Sequence, residues 1–174
     1  IIALFNWYND VMRMIFTILL TKLIRLILKG FGRGSSMPGK IALKLYPNIL
    51  SKIEMPEYVI AVTGSNGKTS TVEMIHQVFE KAGFSVAYNF EGSNQIDGAA
   101  TLILSNCTNS GVFKKDVLLL ETDERYAQYT FKYITPTHYV VTNLYRDQMT
   151  RNGHPEFVLQ EIKKSINKKS ILLL

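Results

Sequence analysis

The most informative segment of this sequence is Tyr58-Val59-Ile60-Ala61-Val62-Thr63-Gly64-Ser65-Asn66-Gly67-Lys68-Thr69-Ser70-Thr71. Its apolar first half predicts a buried strand, and the residues from Thr69 onward predict the start of a helix. Gly64 and Gly67 let the backbone approach an anion, and the first N–H groups of a helix lack intrahelical partners. Lys68 can reach the β- and γ-phosphates of a nucleotide, while the Thr69 hydroxyl can bind the magnesium ion that bridges them. The stretch therefore predicts a phosphate-binding loop.

This loop differs from the strict P-loop pattern, because Val62 stands where that pattern has a glycine five residues before Gly67. The alternative is an ordinary strand-to-helix turn that happens to contain Gly-Lys-Thr. Strand, loop and helix follow one another in the order that a phosphate site requires, which favours the phosphate-binding interpretation.

The composition indicates a globular domain, since 47% of the 174 residues are apolar and 20% are charged. The single cysteine, Cys107, excludes an internal disulfide framework and a four-cysteine zinc site within these residues, and it favours a cytoplasmic setting. We expect it to fill apolar space near a helix end. Because the chain begins with isoleucine and ends in Ile171-Leu172-Leu173-Leu174, which resembles an interrupted strand, we expect a fragment truncated at the C-terminus.

The net charge of +6 is concentrated at the N-terminus. Residues 1–50 hold seven basic residues and one acid, Asp10, whereas residues 51–174 hold thirteen residues of each sign. A nucleic-acid-binding module would carry its charge on the folded domain together with a recognised reading motif, so we expect no nucleic-acid partner.

Residues 1–30 predict a basic amphipathic helix. Arg13, Lys22, Arg25 and Lys29 interrupt its apolar sequence before it reaches the roughly 20 residues that a membrane span needs. Two alternatives remain open: the helix lies on an anionic membrane surface, or it packs on the following domain or a partner. The glycine- and serine-rich residues that follow predict a linker and lead-in segment over residues 31–56, before an incomplete nucleotide-binding domain over residues 57–174.

The rest of the chain alternates strands and helices. Val72, Ile75, Val78, Phe79 and Ala82 predict one face of a helix that rests on a sheet. Further strands are predicted at 85–88, 115–121, 136–143 and 171–174, with helices at 99–104, through residue 133 and through residues 157–166. This order predicts an α/β fold with a doubly wound parallel sheet, whose ligands bind beyond the carboxyl ends of the strands.

Three carboxylates at the end of the 115–121 strand compete to bind magnesium: Glu121, Asp123 and Glu124. We favour Glu121 because it follows the last apolar residue of the strand, while the other two can instead cap the next helix. The polar loop 89–98 also follows a strand and either contacts a ligand or is merely solvated. His76, His138 and His154 lack the context of a nucleophile and are interpreted as structural.

Three segments together resemble the central ATPase domain of the Mur ligase superfamily: residues 63–69, residues 119–124 and residues 142–149. The last of these, Thr-Asn-Leu-Tyr-Arg-Asp-Gln-Met, most resembles the Thr-Asn-Leu-Phe-Arg-Asp-Gln-Leu pattern of the MurT-type synthetase subunits of lipid II isoglutaminyl synthase. Gln148 stands where other Mur ligases commonly have histidine. Four residues depart from those that are usual in the family: Ser65 in the phosphate loop, Glu91 and Ser93 in the loop after the second strand, and Thr150 directly after the last motif.

The resemblance implies ATP-dependent amidation of the D-glutamate α-carboxylate of lipid II through an acyl phosphate, with ammonia from a GatD-type glutaminase. It implies ATP and Mg²⁺ as cofactors and a zinc ribbon beyond Leu174. We expect a cytoplasmic protein, which would lie at the inner face of the plasma membrane if the helix over residues 1–30 binds the membrane. Alternatives are another Mur-type amide ligase, such as a folylpolyglutamate synthase, and a non-catalytic nucleotide-binding module.

The resemblance also implies roles for individual residues. Lys68 and Glu121 would be catalytic, and Thr69 and Glu121 would hold the metal. Nucleotide would be bound by Gly64, Ser65, Asn66, Gly67, Lys68, Thr69, Ser70 and Asn143. Substrate contacts would come from Asn94, Glu124, Arg146 and Asp147.

Overall fold

The structure, a computed structural model, describes residues 2–30, 36–89, 94–145 and 155–174. Its helices are α1 (Ile2–Lys29), α2 (Met37–Leu45), α3 (Lys68–Lys81), α4 (Ile96–Ser105), α5 (Ala127–Phe131) and α6 (Pro155–Ser165), with a 3₁₀ turn at Ile49–Lys52. Its strands are β1 (Tyr58–Thr63), β2 (Val86–Tyr88), β3 (Val117–Glu121), β4 (His138–Val141) and β5 (Ile171–Leu173).

The five strands form one parallel sheet in the order β2-β3-β1-β4-β5. The predicted α/β fold with a parallel sheet is therefore confirmed. β1 lies at the centre, where Val62 pairs with Glu121 of β3 and Thr63 pairs with Val141 of β4. All five residues of β3 are buried, because a parallel strand covered on both faces needs a continuous apolar run.

Helices cover both faces of the sheet. Val72 of α3 packs on Ile60, Val62 and Leu119, which point to one face. The alternate strand residues, such as Val59 and Ala61, point to the other face, where α4, α5 and α6 pack. The chain reverses its direction across the sheet after β2, so the helices that follow the adjacent strands β1 and β3 leave on opposite faces. Such a switch point opens a crevice at the carboxyl ends of those strands.

One part of the predicted apolar face of α3 is wrong. Val72 is buried, and Ile75 and Phe79 pack against the sheet, but Val78 is 66% exposed and Ala82, at the end of the helix, is exposed as well. At about 100° per residue, Val78 lies roughly 60° to 100° around the helix from Ile75 and Phe79. The spacing of three residues to Ile75 therefore does not place Val78 on the row that rests on the sheet.

Helix α1 packs on α2 and α4 along one side. Thr17, Ile18 and Thr21 are buried there, and the Arg13 Nε donates a hydrogen bond to the Leu45 carbonyl at 3.0 Å. On this side, α1 packs on the domain, as one of the two alternatives for residues 1–30 predicted. Within the described residues, no helix has both the length and the apolar character needed to cross a membrane.

Asp10, the single acid of α1, is bound to the domain. It accepts a hydrogen bond from the Tyr46 hydroxyl at 2.7 Å and forms an ion pair with Lys52 at 3.1 Å. The Tyr46 hydrogen bond, followed by the Lys52 contact, lowers the pKa of the Asp10 carboxyl below its ordinary value. Asp10 is therefore charged and paired near neutral pH.

Cys107 lies directly beyond the end of α4 in the core that Ile18 and Leu104 share. Its side chain is fully buried, and burial raises the pKa of its thiol. The expectation that it fills apolar space near a helix end is confirmed.

Candidate functional site

The loop between β1 and α3 adopts backbone conformations that favour glycine. Gly64 has φ of 125° and Gly67 has φ of 79°, both in the region that side chains disfavour. A Cβ atom at Gly64 would also lie 2.3 Å from the Thr142 Oγ1. Gly67 is the N-cap of α3, with no side-chain hydrogen bond capping the helix. The loop therefore presents the positive end of α3, a geometry that fits an anionic phosphate.

The residues after β4 hold this loop in shape. The Asn66 N–H donates to the Asn143 Oδ1 at 3.0 Å, and the Asn143 Nδ2 donates to the Asn66 carbonyl at 2.9 Å. The Thr142 hydroxyl donates to the same carbonyl at 2.7 Å. The buried Ser65 hydroxyl donates to the Tyr145 carbonyl at 2.8 Å and accepts from its N–H at 3.0 Å. These contacts are all neutral, and they fix the loop backbone rather than reach into the crevice.

The Lys68 side chain folds back over the loop. Its ammonium group donates to the carbonyls of Gly64 and Ser65 and lies 3.5 Å from the Glu124 Oε2. The Glu124 side chain is almost fully buried, so the ammonium provides a charge partner for it inside the crevice. The structure thus brings two predicted site residues together, Lys68 and Glu124.

Thr69 and Glu121 also meet in the crevice. The Thr69 hydroxyl donates a hydrogen bond to the Glu121 Oε2 at 2.8 Å, across the switch point between β1 and β3. A hydroxyl and a carboxylate are hard oxygen ligands, and a pair of this kind suits Mg²⁺, which keeps several waters and few protein ligands. No cluster of three or more His, Cys, Asp and Glu side chains that could hold a metal occurs within the described ranges. The Thr69 hydroxyl and the Glu121 carboxylate form a donor set that would fit a magnesium ion shared with phosphates.

Asn89 is a site residue that the sequence analysis did not single out. It follows β2, and its Oδ1 accepts from the Glu121 N–H at 2.7 Å while its Nδ2 donates to the Glu121 carbonyl at 3.0 Å. The side chain thereby fixes the backbone that carries the Glu121 carboxylate. Its position directly after a parallel strand is the same signal that drew attention to Asn143.

The other predicted residues are placed as follows. The Asn94 carbonyl accepts from the Asp123 N–H at 3.2 Å, so the loop after β2 touches the segment after β3. Asp123 accepts from the Arg125 N–H at 3.0 Å, and the short helix α5 begins only at Ala127. Ser70 is exposed in the first turn of α3. Arg146 and Asp147, predicted to contact substrate, lie outside the described residues.

A sequence comparison decides the family. The profile described as the Mur ligase middle domain matches residues 62–170, more than half of the chain.

The chain belongs to the Mur ligase family.

Relatives within the family agree with this placement. A lipid II isoglutaminyl synthase (glutamine-hydrolyzing) subunit MurT from Streptococcus pneumoniae is 37% identical over 73% of this chain. A subunit of the same name from Staphylococcus aureus is 33% identical over 89% of the chain. The chain spans 28% and 35% of the lengths of these two relatives. A UDP-N-acetylmuramate--L-alanine ligase from a Wolbachia strain is 30% identical over 72% of the chain and 22% of its own length.

Solved Mur ligase structures share the fold. A MurF ligase from Thermotoga maritima in complex with ADP superimposes with a TM-score of 0.56 at 23% identity, over 76% of this chain and 30% of that one. A MurF from Acinetobacter baumannii gives 0.55 at 19% identity, over 76% of this chain and 29% of that one. At these identities the likeness establishes the Mur ligase fold.

Proposed function

We propose that this chain is the ATP-binding part of a Mur-type ligase that amidates the D-glutamate α-carboxylate of lipid II. The observation that carries the proposal is the Thr69–Glu121 pair, 2.8 Å apart beside a loop with two glycines at positive φ. That arrangement suits a Mg²⁺-bound nucleoside triphosphate. The MurT relatives, at 37% and 33% identity, supply the choice of acceptor.

The roles of the residues follow from their places. Lys68 would exchange its contacts with the Gly64 carbonyl and Glu124 for phosphate oxygens and stabilise charge on the transferring γ-phosphoryl group. The loop amides at the start of α3 would bind the same phosphates. Thr69 and Glu121 would hold Mg²⁺, which neutralises phosphate charge when bound. Asn143 would keep the loop in its binding conformation.

The reaction has two balanced steps. The acceptor carboxylate takes the γ-phosphoryl group of ATP, giving an acyl phosphate and ADP. Ammonia then attacks the acyl carbon, and the C–O bond to phosphate breaks, giving the amide and inorganic phosphate. The ammonia would come from glutamine in a GatD-type glutaminase partner, in keeping with the words glutamine-hydrolyzing in the names of the MurT relatives. We place the enzyme in the cytoplasm, where ATP and glutamine are available.

The proposal is tested in the full-length protein assembled with its glutaminase. Lys68→Ala should lower glutamine-dependent amidation of lipid II by roughly 10²- to 10³-fold, the range for removing one charge-stabilising group. Lys81→Ala, at the exposed far end of the same helix, is the matched control and should retain activity. Mass spectrometry of the lipid-linked peptide measures the product.

The same assay distinguishes amidation from a second candidate function, the addition of an amino acid. The likeness to UDP-N-acetylmuramate--L-alanine ligases favours this second function. Products that carry an added amino acid, with no amidated peptide, would contradict the proposed acceptor chemistry. Full activity of Lys68→Ala would contradict the assignment of the loop.

A further inference from the structure

Helix α1 has a side that no other described part of the chain covers. Eight large side chains follow one another along this side, and each is 47–73% exposed. They are Phe5, Tyr8, Met12, Phe16, Leu19, Leu23, Leu26 and Ile27. At about 100° per residue these eight positions, here named the outer stripe, fall within an arc of roughly 100° that contains no charged residue.

The outer stripe is large for a surface feature. A large side chain has roughly 150 to 250 Å² of surface, so eight of them at this exposure present on the order of 800 Å² of apolar area. The largest apolar patch on a typical monomer is roughly 300–600 Å², and larger ones mark interaction sites. The stripe also points away from the packed side of α1, where Ile18 is fully buried and Lys22 donates to Asn109 at 3.0 Å.

Charge decides between the occupants of this surface. Arg13 and Lys22 of the helix donate hydrogen bonds to the domain, Arg25 and Lys29 follow in its C-terminal turns, and its single acid, Asp10, is paired with Lys52. Helix α2, which packs beside it, adds Lys40 and Lys44 and no acid. A second copy of α1 packed along the stripe would bring basic residues of the two helices close together, whether the helices ran parallel or antiparallel. Paired helices need opposite charges beside their contact, so this charge pattern disfavours a dimer through the stripe.

An anionic lipid surface satisfies both features. A helix of 28 residues is about 42 Å long at 1.5 Å per residue, and it could lie in the plane of the membrane with its apolar side among the acyl chains. Lysine and arginine side chains can then extend from its flanks to the lipid phosphates. The stripe includes the exposed aromatic residues Phe5 and Tyr8 near its N-terminal end and Phe16 at its middle, and aromatic rings favour the membrane interface.

We propose that the outer stripe of α1 is a docking surface for an anionic membrane, on which the helix lies parallel to the bilayer and carries the nucleotide-binding domain. This inference goes beyond the proposed reaction and does not rest on it, because vesicle binding requires neither ATP nor amidation.

The test measures co-sedimentation of the full-length protein with vesicles of phosphatidylglycerol and phosphatidylcholine in equal parts, and with vesicles of phosphatidylcholine alone. We expect binding to the anionic vesicles to be at least tenfold stronger. The double variant Leu19→Glu/Leu23→Glu should weaken that binding at least tenfold. Both side chains are exposed, so folding should be preserved, and an unchanged circular dichroism spectrum and ATP affinity confirm it.

The matched control is Met74→Glu/Val78→Glu. These two residues are also four positions apart on an exposed helical face, at 61% and 66% exposure, but they lie on α3. The control should bind anionic vesicles like the wild type.

Three results would overturn the inference. The wild type could fail to sediment with anionic vesicles. The α3 control could lose as much binding as the stripe variant. The stripe variant could instead change the mass of the particle in light scattering and leave vesicle binding intact, which would assign the stripe to a protein partner.

Discussion

Two asparagines form similar pairs of hydrogen bonds on the two sides of β1, one on the side of β3 (the β3 flank) and one on the side of β4 (the β4 flank). Asn89 forms two hydrogen bonds with the backbone of Glu121 on the β3 side, and Asn143 forms two with the backbone of Asn66 on the β4 side. On the β3 side the clamp holds a residue whose carboxylate enters the crevice. On the β4 side it holds only loop backbone.

The two flanks differ in the charge of the side chains that they bring to the crevice. The β3 flank holds Glu121 and Glu124, which meet Thr69 and Lys68, so charge is concentrated there. Within the part of the chain that the structure describes, the contacts from the β4 flank to the loop come from the neutral groups of Thr142, Asn143 and Tyr145. We therefore expect changes on the β3 flank to alter the dependence on magnesium, and changes on the β4 flank to alter nucleotide binding without that dependence.

The largest effect should come from Glu121→Gln. The amide keeps the size of the side chain and an oxygen that can accept from Thr69, but it removes the charge that would hold Mg²⁺. We expect turnover to fall roughly 10²- to 10³-fold, while calorimetry shows that Mg²⁺ no longer strengthens ATP binding. Glu57→Gln, an exposed carboxylate before the amino end of β1, is the control. If Mg²⁺ still strengthens ATP binding in Glu121→Gln, the claim that charge on the β3 flank binds the metal is wrong.

Among changes where the loop contacts the β4 flank, Gly64→Ala should lower the stability of the protein most. The new Cβ would meet the Thr142 Oγ1 at 2.3 Å and the Asn143 carbonyl at 2.9 Å, at a φ of 125°. Strain of this kind costs about 1–3 kcal/mol before the clash is added. Gly67→Ala separates the two causes, since a Cβ there meets nothing within 4 Å and only the φ of 79° opposes it. Urea unfolding should show a larger loss of stability for Gly64→Ala, and equal losses would exclude the contact with the β4 flank as the cause.

Replacing the two clamps compares the flanks directly. Asn89→Ala should weaken the Mg²⁺-dependent part of ATP binding about 30-fold, because two net hydrogen bonds of about 1 kcal/mol each are lost around Glu121. Asn143→Ala should weaken ATP binding by a similar factor whether Mg²⁺ is present or absent. Titrations with ATP in magnesium and in EDTA measure both. The comparison between the flanks fails if the two variants give the same magnesium profile.

The smallest effect is expected from Ser65→Ala. The change removes a buried hydroxyl that bridges the N–H and carbonyl of Tyr145, at a stability cost of about 1–3 kcal/mol for the unpaired backbone groups. Thermal unfolding measures this cost. ATP affinity should change only a few-fold, since the Asn143 clamp on the neighbouring residue remains. A loss as large as that of Asn143→Ala would make Ser65 an equal support of the loop.

The parts of this molecule that could be predicted from sequence are those in which one local pattern determines the structure. The run Val117–Leu120 could only be a strand buried on both faces, and the order of elements then placed Glu121 opposite Thr69. Asn89 was not distinguished from Asn94 and Gln95, the other amides of this ten-residue polar loop, because its role shows only when β2 pairs with β3. The side of α1 that packs was also undetermined, since apolar residues surround that helix and contacts such as Arg13 with Leu45 select one side.

Chemical labelling of the buried Cys107 thiol can detect local opening of the protein. Its thiol is shielded beneath the layer that α1 and α4 share, so a labelling reagent can react only when that layer separates from the sheet. The rate of labelling under native conditions then measures the free energy of that opening directly. Because the phosphate loop belongs to the opposite face of the sheet, nucleotide would slow the labelling only if the two faces open as one cooperative unit.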